Sequence, residues 1–326
     1  MFCKNLFSQK KEEVWSSFSV KPAKFKRLAI YAAYNPDGYI DASDLNYLKA
    51  LTEVADNIIY VADNALRTGE ENKIKNLVCH IEAHRHNEYD FGSYKRGYLY
   101  ALSHNLLDNI DELIFCNSSC YAPVHPFNNM FNTMNKRACD FWGITQNEDI
   151  SLHIQSFFLV FRPDVFNSAI FRQFINNIVK QPCVEEVIHQ YEVGLSRLLF
   201  NAGYKGDSYI AYPDRNSYPR TKCVNNLTAV PVWLMQQGAP VLKKKAFTQK
   251  LANLDGLLLT RRTAIRYNPS LRYCLPVPFK CLILKMLDFI YKKKITKSGN
   301  LLIKFCRIPV YHRMYHPCNL HKKSLG

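Results

Sequence analysis

The sequence predicts an α/β fold with a mainly parallel central sheet flanked by helices. Three features lead there. Short apolar runs of strand length recur from residue 28 to residue 161, stretches of helical spacing separate several of them, and polar turn signals sit where the runs end. In chain order, the apolar run Leu28–Tyr34 reads as a buried first strand, closed by the turn signal Asn35-Pro-Asp-Gly38. Asp41 or Ser43 then caps a helix whose apolar positions include Leu45, Leu48, Leu51 and Val54. Asn57–Ala62 and Asn76–Ile81 read as the second and third strands. A polar loop ends at Asp90-Phe-Gly-Ser93, and a helix is expected over Tyr94–Leu106. Glu112–Cys116 is the fourth strand and runs into Asn117-Ser-Ser-Cys-Tyr-Ala-Pro123. Cys139–Thr145 and Ile154–Phe161 read as two further strands, followed by helices over Pro163–Ile178 and Glu185–Asn201, the second ended by Gly203. Ligands of such sheets bind at the carboxyl ends of the strands, where Asp90–Ser93 and Asn117–Ser119 both fall.

A chain of 326 residues, 48% hydrophobic, is long enough for one large domain or two small ones. No run of 18 apolar residues predicts a transmembrane helix, and the opening MFCKNLFSQKKEEVW lacks the apolar core of a signal peptide, so a cytoplasmic location is expected. Eleven cysteines in irregular spacing, with no CxxC pair, read as small buried hydrophobes in a reducing compartment rather than as a zinc site. Charge is uneven. Residues 220–326 hold 21 Lys or Arg against Asp255 and Asp288, whereas residues 1–219 hold 22 basic and 25 acidic side chains. The basic excess of the last third points to an anionic partner such as a membrane leaflet. No helix-turn-helix, zinc-finger or RNP-type signature accompanies it, so nucleic acid is not expected. Within that third, Lys280–Tyr291 has the pattern of an interfacial amphipathic helix with a basic end, and equally of a helix packed on the main domain with a solvated basic rim.

Several segments, taken together, resemble one family. Tyr89-Asp-Phe-Gly-Ser-Tyr-Lys95, Asn117–Pro123, Cys139-Asp-Phe-Trp-Gly-Ile-Thr145, His153–Phe161 and Tyr191-Glu-Val-Gly-Leu195 occur in the order seen in the rhamnan synthesis F family. The opening strand with Tyr34–Gly38 and the basic Pro240-Val-Leu-Lys-Lys244 are similar as well, so that the likeness covers about residues 26–250. The resemblance implies a GT-A glycosyltransferase of lipopolysaccharide O-antigen or rhamnose-polysaccharide assembly. It would transfer a sugar, rhamnose or a related hexose, from a nucleotide-sugar donor to a lipid-linked glycan, peripheral on the inner face of the cell membrane. On that reading residues 1–25 are an N-terminal extension and residues 26–220 the transferase domain, with a nucleotide-binding half (26–123) and an acceptor half (124–220). Residues 221–326 form a basic C-terminal extension that docks on anionic lipid. Two departures stand out: Ser118 replaces the family's usual Asp, and Glu88 replaces a glycine.

The chemistry sets expectations for single residues. A diphosphate must be held and neutralised as it leaves, and the resemblance to GT-A enzymes implies Mg²⁺ or Mn²⁺ on an acidic motif after the fourth strand. Asn117, Ser118 and Ser119 occupy that place, and Ser118 puts the divalent cation in doubt. Either another acid, with Asp90 the candidate metal ligand, or basic residues such as Lys95, Arg96 and Arg85 must do the work. Gly92 lets backbone approach a donor closely, and Ser93 or Asp90 meets it or caps the next helix. The resemblance to inverting GT-A enzymes implies Glu192 as the catalytic base, with Glu185 and Glu186 as alternatives, and it reads otherwise as a surface acid or a partner of Arg197. Trp142, Tyr121 and Phe141 are candidates to stack on a sugar ring or base, with core packing the stronger reading of Phe141, while Gln155 and His153 are candidates to reach a hydroxyl of the acceptor sugar, a structural role being the other reading of His153. His80, His84 and His86 do not have the spacing of a metal site. With its metal carboxylate lost, a non-catalytic binding or scaffolding member of the family is the competing expectation.

Overall fold

The computed structural model describes residues 25–210, 230–247 and 254–277, together with the backbone strands 291–295, 301–305 and 308–313. Its centre is a seven-stranded sheet. Strands β1 (Arg27–Ala33), β2 (Asn57–Ala62), β3 (His80–Ala83) and β4 (Glu112–Asn117) run parallel in the spatial order β4-β1-β2-β3. Beyond β4 the direction reverses. A strand at Phe158–Phe161 pairs antiparallel with β4 and with Phe141–Gly143, and Gly206–Ser208 closes the far edge. The sheet is thus mixed, with its parallel part where the sequence predicted it. Every residue of β1 and β4 is buried, as a strand covered on both faces requires.

Side chains alternate between two cores. Tyr31, Tyr60, Ile114 and Trp142 face helix α1 (Ala42–Leu51) and the helix at Phe127–Met134. Ile30, Val61, Phe115 and Phe161 face helix α2 (Tyr89–Ser103) and the helices of residues 169–201. Gly97 of α2 is where the second layer comes closest: a Cβ there would lie 2.4 Å from Ile30 Cγ2. At the amino end of the sheet, Arg27 and Glu112 stand side by side on β1 and β4 in a buried ion pair of 2.5 Å.

Local chemistry accounts for the boundaries. Asp41 caps α1, its carboxylate accepting the Ser43 and Asp44 N–H groups at 2.8 and 2.9 Å. The third strand starts four residues later than predicted, because Leu77 and Val78 pack on the core from a turn instead of from a ladder. The run Ile154–Phe161 is split: His153–Ile154 pairs with Gln146–Asn147 in a small hairpin, and Gln155 and Ser156 turn to polar partners. Pro163–Asn176 is two helices, the second capped by Ser168 at Phe171 N–H. The predicted helix at 185–201 runs from Val184 to Asn201 and contains a π-helical stretch, Ile188–Val193. It ends before Gly203, which has a φ of +87°.

Residues 230–247 and 254–277 pack on the same body. Strand β5 (Cys120–Tyr121) pairs antiparallel with β6 (Leu242–Lys243), and Val124 N–H donates to the Pro240 carbonyl at 2.7 Å. The predicted amphipathic helix at 280–291 lies almost wholly outside the described residues, and Tyr291 opens a strand of a three-stranded antiparallel sheet. Among the described residues no helix is long and apolar enough to cross a membrane.

Candidate functional site

The order β4-β1-β2 makes the β1/β4 boundary the point where successive connections depart in opposite directions, and such a switch point opens a crevice at the carboxyl ends of the strands. Asn117, the last residue of β4, forms its floor. The Asn117 side-chain amide donates to Asp90 Oδ2 at 2.9 Å, and its carbonyl oxygen accepts from Ser119 N–H at 3.2 Å and from the Ser119 hydroxyl. Ser118 Oγ accepts from the Tyr34 N–H at 3.2 Å and so ties the end of β4 to the end of β1. Asp90, Asn117 and Ser119, all expected at the donor site, are therefore brought together, with Ser118 beside them.

A cation completes this group. Lys243 Nζ donates to Ser119 Oγ at 3.0 Å and lies 4.4 Å from the Phe157 ring centroid. Backbone pairing sets it there: Lys243 lies opposite Cys120 in the β5–β6 ladder, and Lys244 N–H donates to the Ser119 carbonyl at 2.8 Å. Only the motif Pro240–Lys244 hinted at Lys243, because its partner lies 124 residues away. Lys243 also borders a recess lined in part by Thr145, Phe157 and Leu234.

Glu192 faces the crevice from the π-helical stretch, its side chain 16% exposed. A π turn adds a residue to the helical repeat and marks functional sites more often than it marks ordinary helix. Ser156 donates both its N–H, at 2.9 Å, and its hydroxyl to Glu192 Oε2. His153 lies 3.3 Å from Glu192 Oε1 in an ion-pair contact that is not aligned as a hydrogen bond, and its Nδ1 donates to the Ser151 carbonyl at 2.7 Å. The histidine is 1% exposed. Burial alone would lower its pKa, but Glu192 and the Ser151 carbonyl outweigh that and raise it.

The two carboxylates are pushed apart. Burial and the negative charge of Glu192 hold the Asp90 carboxyl above its ordinary value, against the pull of Lys243. Burial acts on Glu192 in the same sense, yet the contact with His153 and the bonds from Ser156 prevail and lower it. Paired acids with opposite shifts are the usual mark of divided roles in proton transfer.

A third wall follows β2. Asp63 Oδ1 accepts the His86 and Asn87 N–H groups at 2.7 and 2.8 Å, and Arg85 pairs with Asp63 Oδ2 at 3.0 Å. Arg85 lies 5.1 Å from the ring centroid of Tyr34, which is 53% exposed at the crevice mouth. His86 Nδ1 accepts from Glu88 N–H at 3.1 Å, leaving Nε2 to donate to Ser93 Oγ at 3.0 Å. That neutral tautomer agrees with a pKa pushed down to about 4, by burial first and by Arg96 second.

Other expected site residues lie elsewhere or serve packing. Helix α2 begins a turn early, at Tyr89, with Asn87 and Tyr89 in the left-handed region, so neither Asp90 nor Ser93 is its N-cap. Gly92 answers to its neighbours, since a Cβ there would lie 2.3 Å from Glu88 Cβ and 2.9 Å from His86 Cε1. Lys95 donates to the carbonyls of Asn176 and Ile178 at 3.0 and 2.8 Å and so binds two helices together. Arg96 pairs with Glu88 at 2.6 Å. Trp142 is fully buried, its Nε1 directed at Glu112 at the opposite end of the sheet, where no sugar can stack on it. Gln155 is buried and accepts from the Thr145 hydroxyl at 2.7 Å.

The sequence profile of the rhamnan synthesis protein F family matches residues 58–317. The chain belongs to that family. The virulence protein VirA of Vibrio anguillarum is 29% identical over 154 residues, 46% of this rhamnan synthesis F chain and 47% of that protein. The chain thus matches about half the length of this curated relative. Among solved structures, the mannosyltransferase Ktr4p of S. cerevisiae is 10% identical over 46% of this chain and 59% of its own, with a TM-score of 0.31. A glycosyltransferase that glycosylates the major capsid of PBCV-1 is 11% identical over 67% and 94%, with a TM-score of 0.36. Scores of this size carry no weight for substrate or mechanism.

The donor set at the crevice suits a hard divalent cation poorly. Such ions need several anionic or carbonyl oxygens. Here Asp90 stands beside an amide whose oxygen Ser119 already holds, Glu192 is engaged by Ser156 and His153, and an ammonium occupies the next position. Among the described residues no three His, Cys, Asp or Glu side chains converge to hold a metal.

Proposed function

We propose that this family member is a GT-A glycosyltransferase that moves a sugar, rhamnose or a related hexose, from a nucleotide-sugar donor to a lipid-linked glycan of a cell-surface polysaccharide or O-antigen. Membership of the rhamnan synthesis F family supports the polysaccharide setting. The observation that carries the reading is the convergence of Asp90, Glu192 and Lys243 at the sheet's switch point, from segments far apart in the chain. The donor diphosphate lies over Asn117 and Ser119, and the exposed Tyr34 with Arg85 supports the nucleoside. Glu192 is the base. The acceptor hydroxyl oxygen bonds to the anomeric carbon, its proton passes to Glu192, and the bond from that carbon to the diphosphate breaks with the electron pair leaving on the diphosphate. This order inverts the anomeric centre. The basic last third holds the enzyme on the anionic inner leaflet, where the lipid-linked acceptor lies.

A second reading rests on Ser118: a member without catalysis that binds glycan or nucleotide, or scaffolds the assembly of other enzymes. Thermal unfolding with TDP, UDP and GDP, followed by turnover of the matching nucleotide sugar, separates the two. A nucleotide at one hundred times its Kd stabilises the folded chain by roughly 2.7 kcal/mol. Selective stabilisation and turnover that falls with Glu192→Gln are expected. Nucleotide binding without turnover favours the second reading, and no nucleotide effect rejects the first.

A further inference from the structure

We infer that Lys243 is the built-in cation of a metal-independent diphosphate subsite, doing the work that a divalent ion does where an acidic motif follows the fourth strand. The inference deepens the nucleotide-sugar reading and rests on it for the source of the diphosphate.

Four observations meet at one place. Ser118 puts a neutral hydroxyl where a cation would need a carboxylate, and that hydroxyl already accepts from the Tyr34 N–H. The Lys243 ammonium reaches the adjoining hydroxyl, Ser119 Oγ, at 3.0 Å. An ammonium has three donors, and the Ser119 bond uses one of them. The backbone of Lys243 is fixed beside this place by the β5–β6 ladder on one side and the Lys244 N–H to Ser119 carbonyl bond on the other. Its surroundings strengthen an anion contact: the Phe157 ring packs at 4.4 Å and the nearby recess is largely apolar. Lys244, the next residue, turns to Asp41 at 3.8 Å, so the doublet splits between an anion wall and the cap of α1.

During transfer, negative charge grows on the diphosphate as its bond to the sugar carbon breaks. A fixed ammonium stabilises that charge without a metal. The proton of the acceptor still goes to the carboxylate base.

Inorganic pyrophosphate is the probe, titrated calorimetrically into the full chain in EDTA and again with Mn²⁺. Wild type is expected to bind in EDTA and to gain no more than about twofold from Mn²⁺. Lys243→Met should weaken binding roughly tenfold or more, the size of a lost charged hydrogen bond, and Lys243→Arg should recover part of it. Lys49→Met, which removes an exposed charge from the end of α1, should bind as wild type does. Binding that requires Mn²⁺ overturns the inference without touching the nucleotide-sugar reading, and this arm needs no variant to fold. Equal binding by a folded Lys243→Met overturns it too, as does a wild type that binds in neither condition. Pyrophosphate held through Lys243 while TDP, UDP and GDP are all ignored would sink the nucleotide-sugar reading and leave the subsite standing.

Discussion

Asp44 offers a quantitative test of the fold around the site. Its side chain is buried under α1 and accepts from the Tyr31 hydroxyl at 2.8 Å. Burial, and next the negative Asp41, push its pKa up to about 6, while Lys244 opposes them. A folded-state value above the ordinary one means that the carboxyl contributes stability while protonated. That contribution is complete below the ordinary aspartate range and is lost as pH rises through about 6. The difference from an unperturbed aspartate amounts to roughly 3 kcal/mol at neutral pH. Asp44→Asn keeps an acceptor for Tyr31 and removes the charge. The variant should therefore be more stable than wild type by roughly 3 kcal/mol at pH 8, a rise in Tm of about 4–5 °C, and nearly equal to it at pH 4. Thermal unfolding followed by circular dichroism across that range is the assay. A gain of the same size at pH 4 and pH 8, or a loss at pH 8, would refute the electrostatic account and leave only a packing effect.

Further outcomes are expected elsewhere. Glu112→Ala strands Arg27 without its buried partner and should cost roughly 3–5 kcal/mol in chemical denaturation. Gly143→Ala places a Cβ 2.4 Å from Ile154 Cγ2 and 2.7 Å from the Phe158 carbonyl, and backbone cannot give way as a side chain can, so a loss of about 1–3 kcal/mol is expected from the same measurement. Glu192→Gln, which removes the proposed base, should lower turnover by roughly 10²–10⁴-fold. With Glu192 as base, the lowered pKa keeps the rate flat through neutral pH, and the acid limb lies below the ordinary glutamate range. An acid limb displaced upward towards neutrality, and abolished by Asp90→Asn, would transfer the base role to Asp90, whose pKa is raised.

The parallel half of the sheet was legible because β1, β2 and β4 are short, nearly unbroken apolar runs, which suits strands buried on both faces. Sequence reasoning failed where apolar residues pack on the core, partly buried, without joining a ladder, as Leu77 and Val78 do. It also failed where polar residues inside an apolar run are buried for their bonds, as Gln155 and Ser156 are. Trp142 beside a glycine looked like a ligand platform, and nothing local reveals that its indole points to Glu112 thirty residues back. Asp90 and Asn117 were found through their places at strand and helix ends, a rule that would also have found Asp63, one residue past β2. Lys243 was hidden by distance along the chain, and Ser156 lay inside the family-like run His153–Phe161 with nothing to single it out.

The β5–β6 ladder also bears on the timing of assembly. Every strand of the central sheet precedes residue 209, whereas Leu242–Lys243 must return across more than a hundred residues to reach Cys120–Tyr121. Closures of that span form late. A chain emerging from the ribosome amino end first can complete its sheet before Lys243 has been made. Pulsed hydrogen exchange should accordingly protect Ile114 before Leu242. The crevice would then pass through an interval with its carboxylates in place and its ammonium still absent, an acidic pocket that repels the ligand it will later hold.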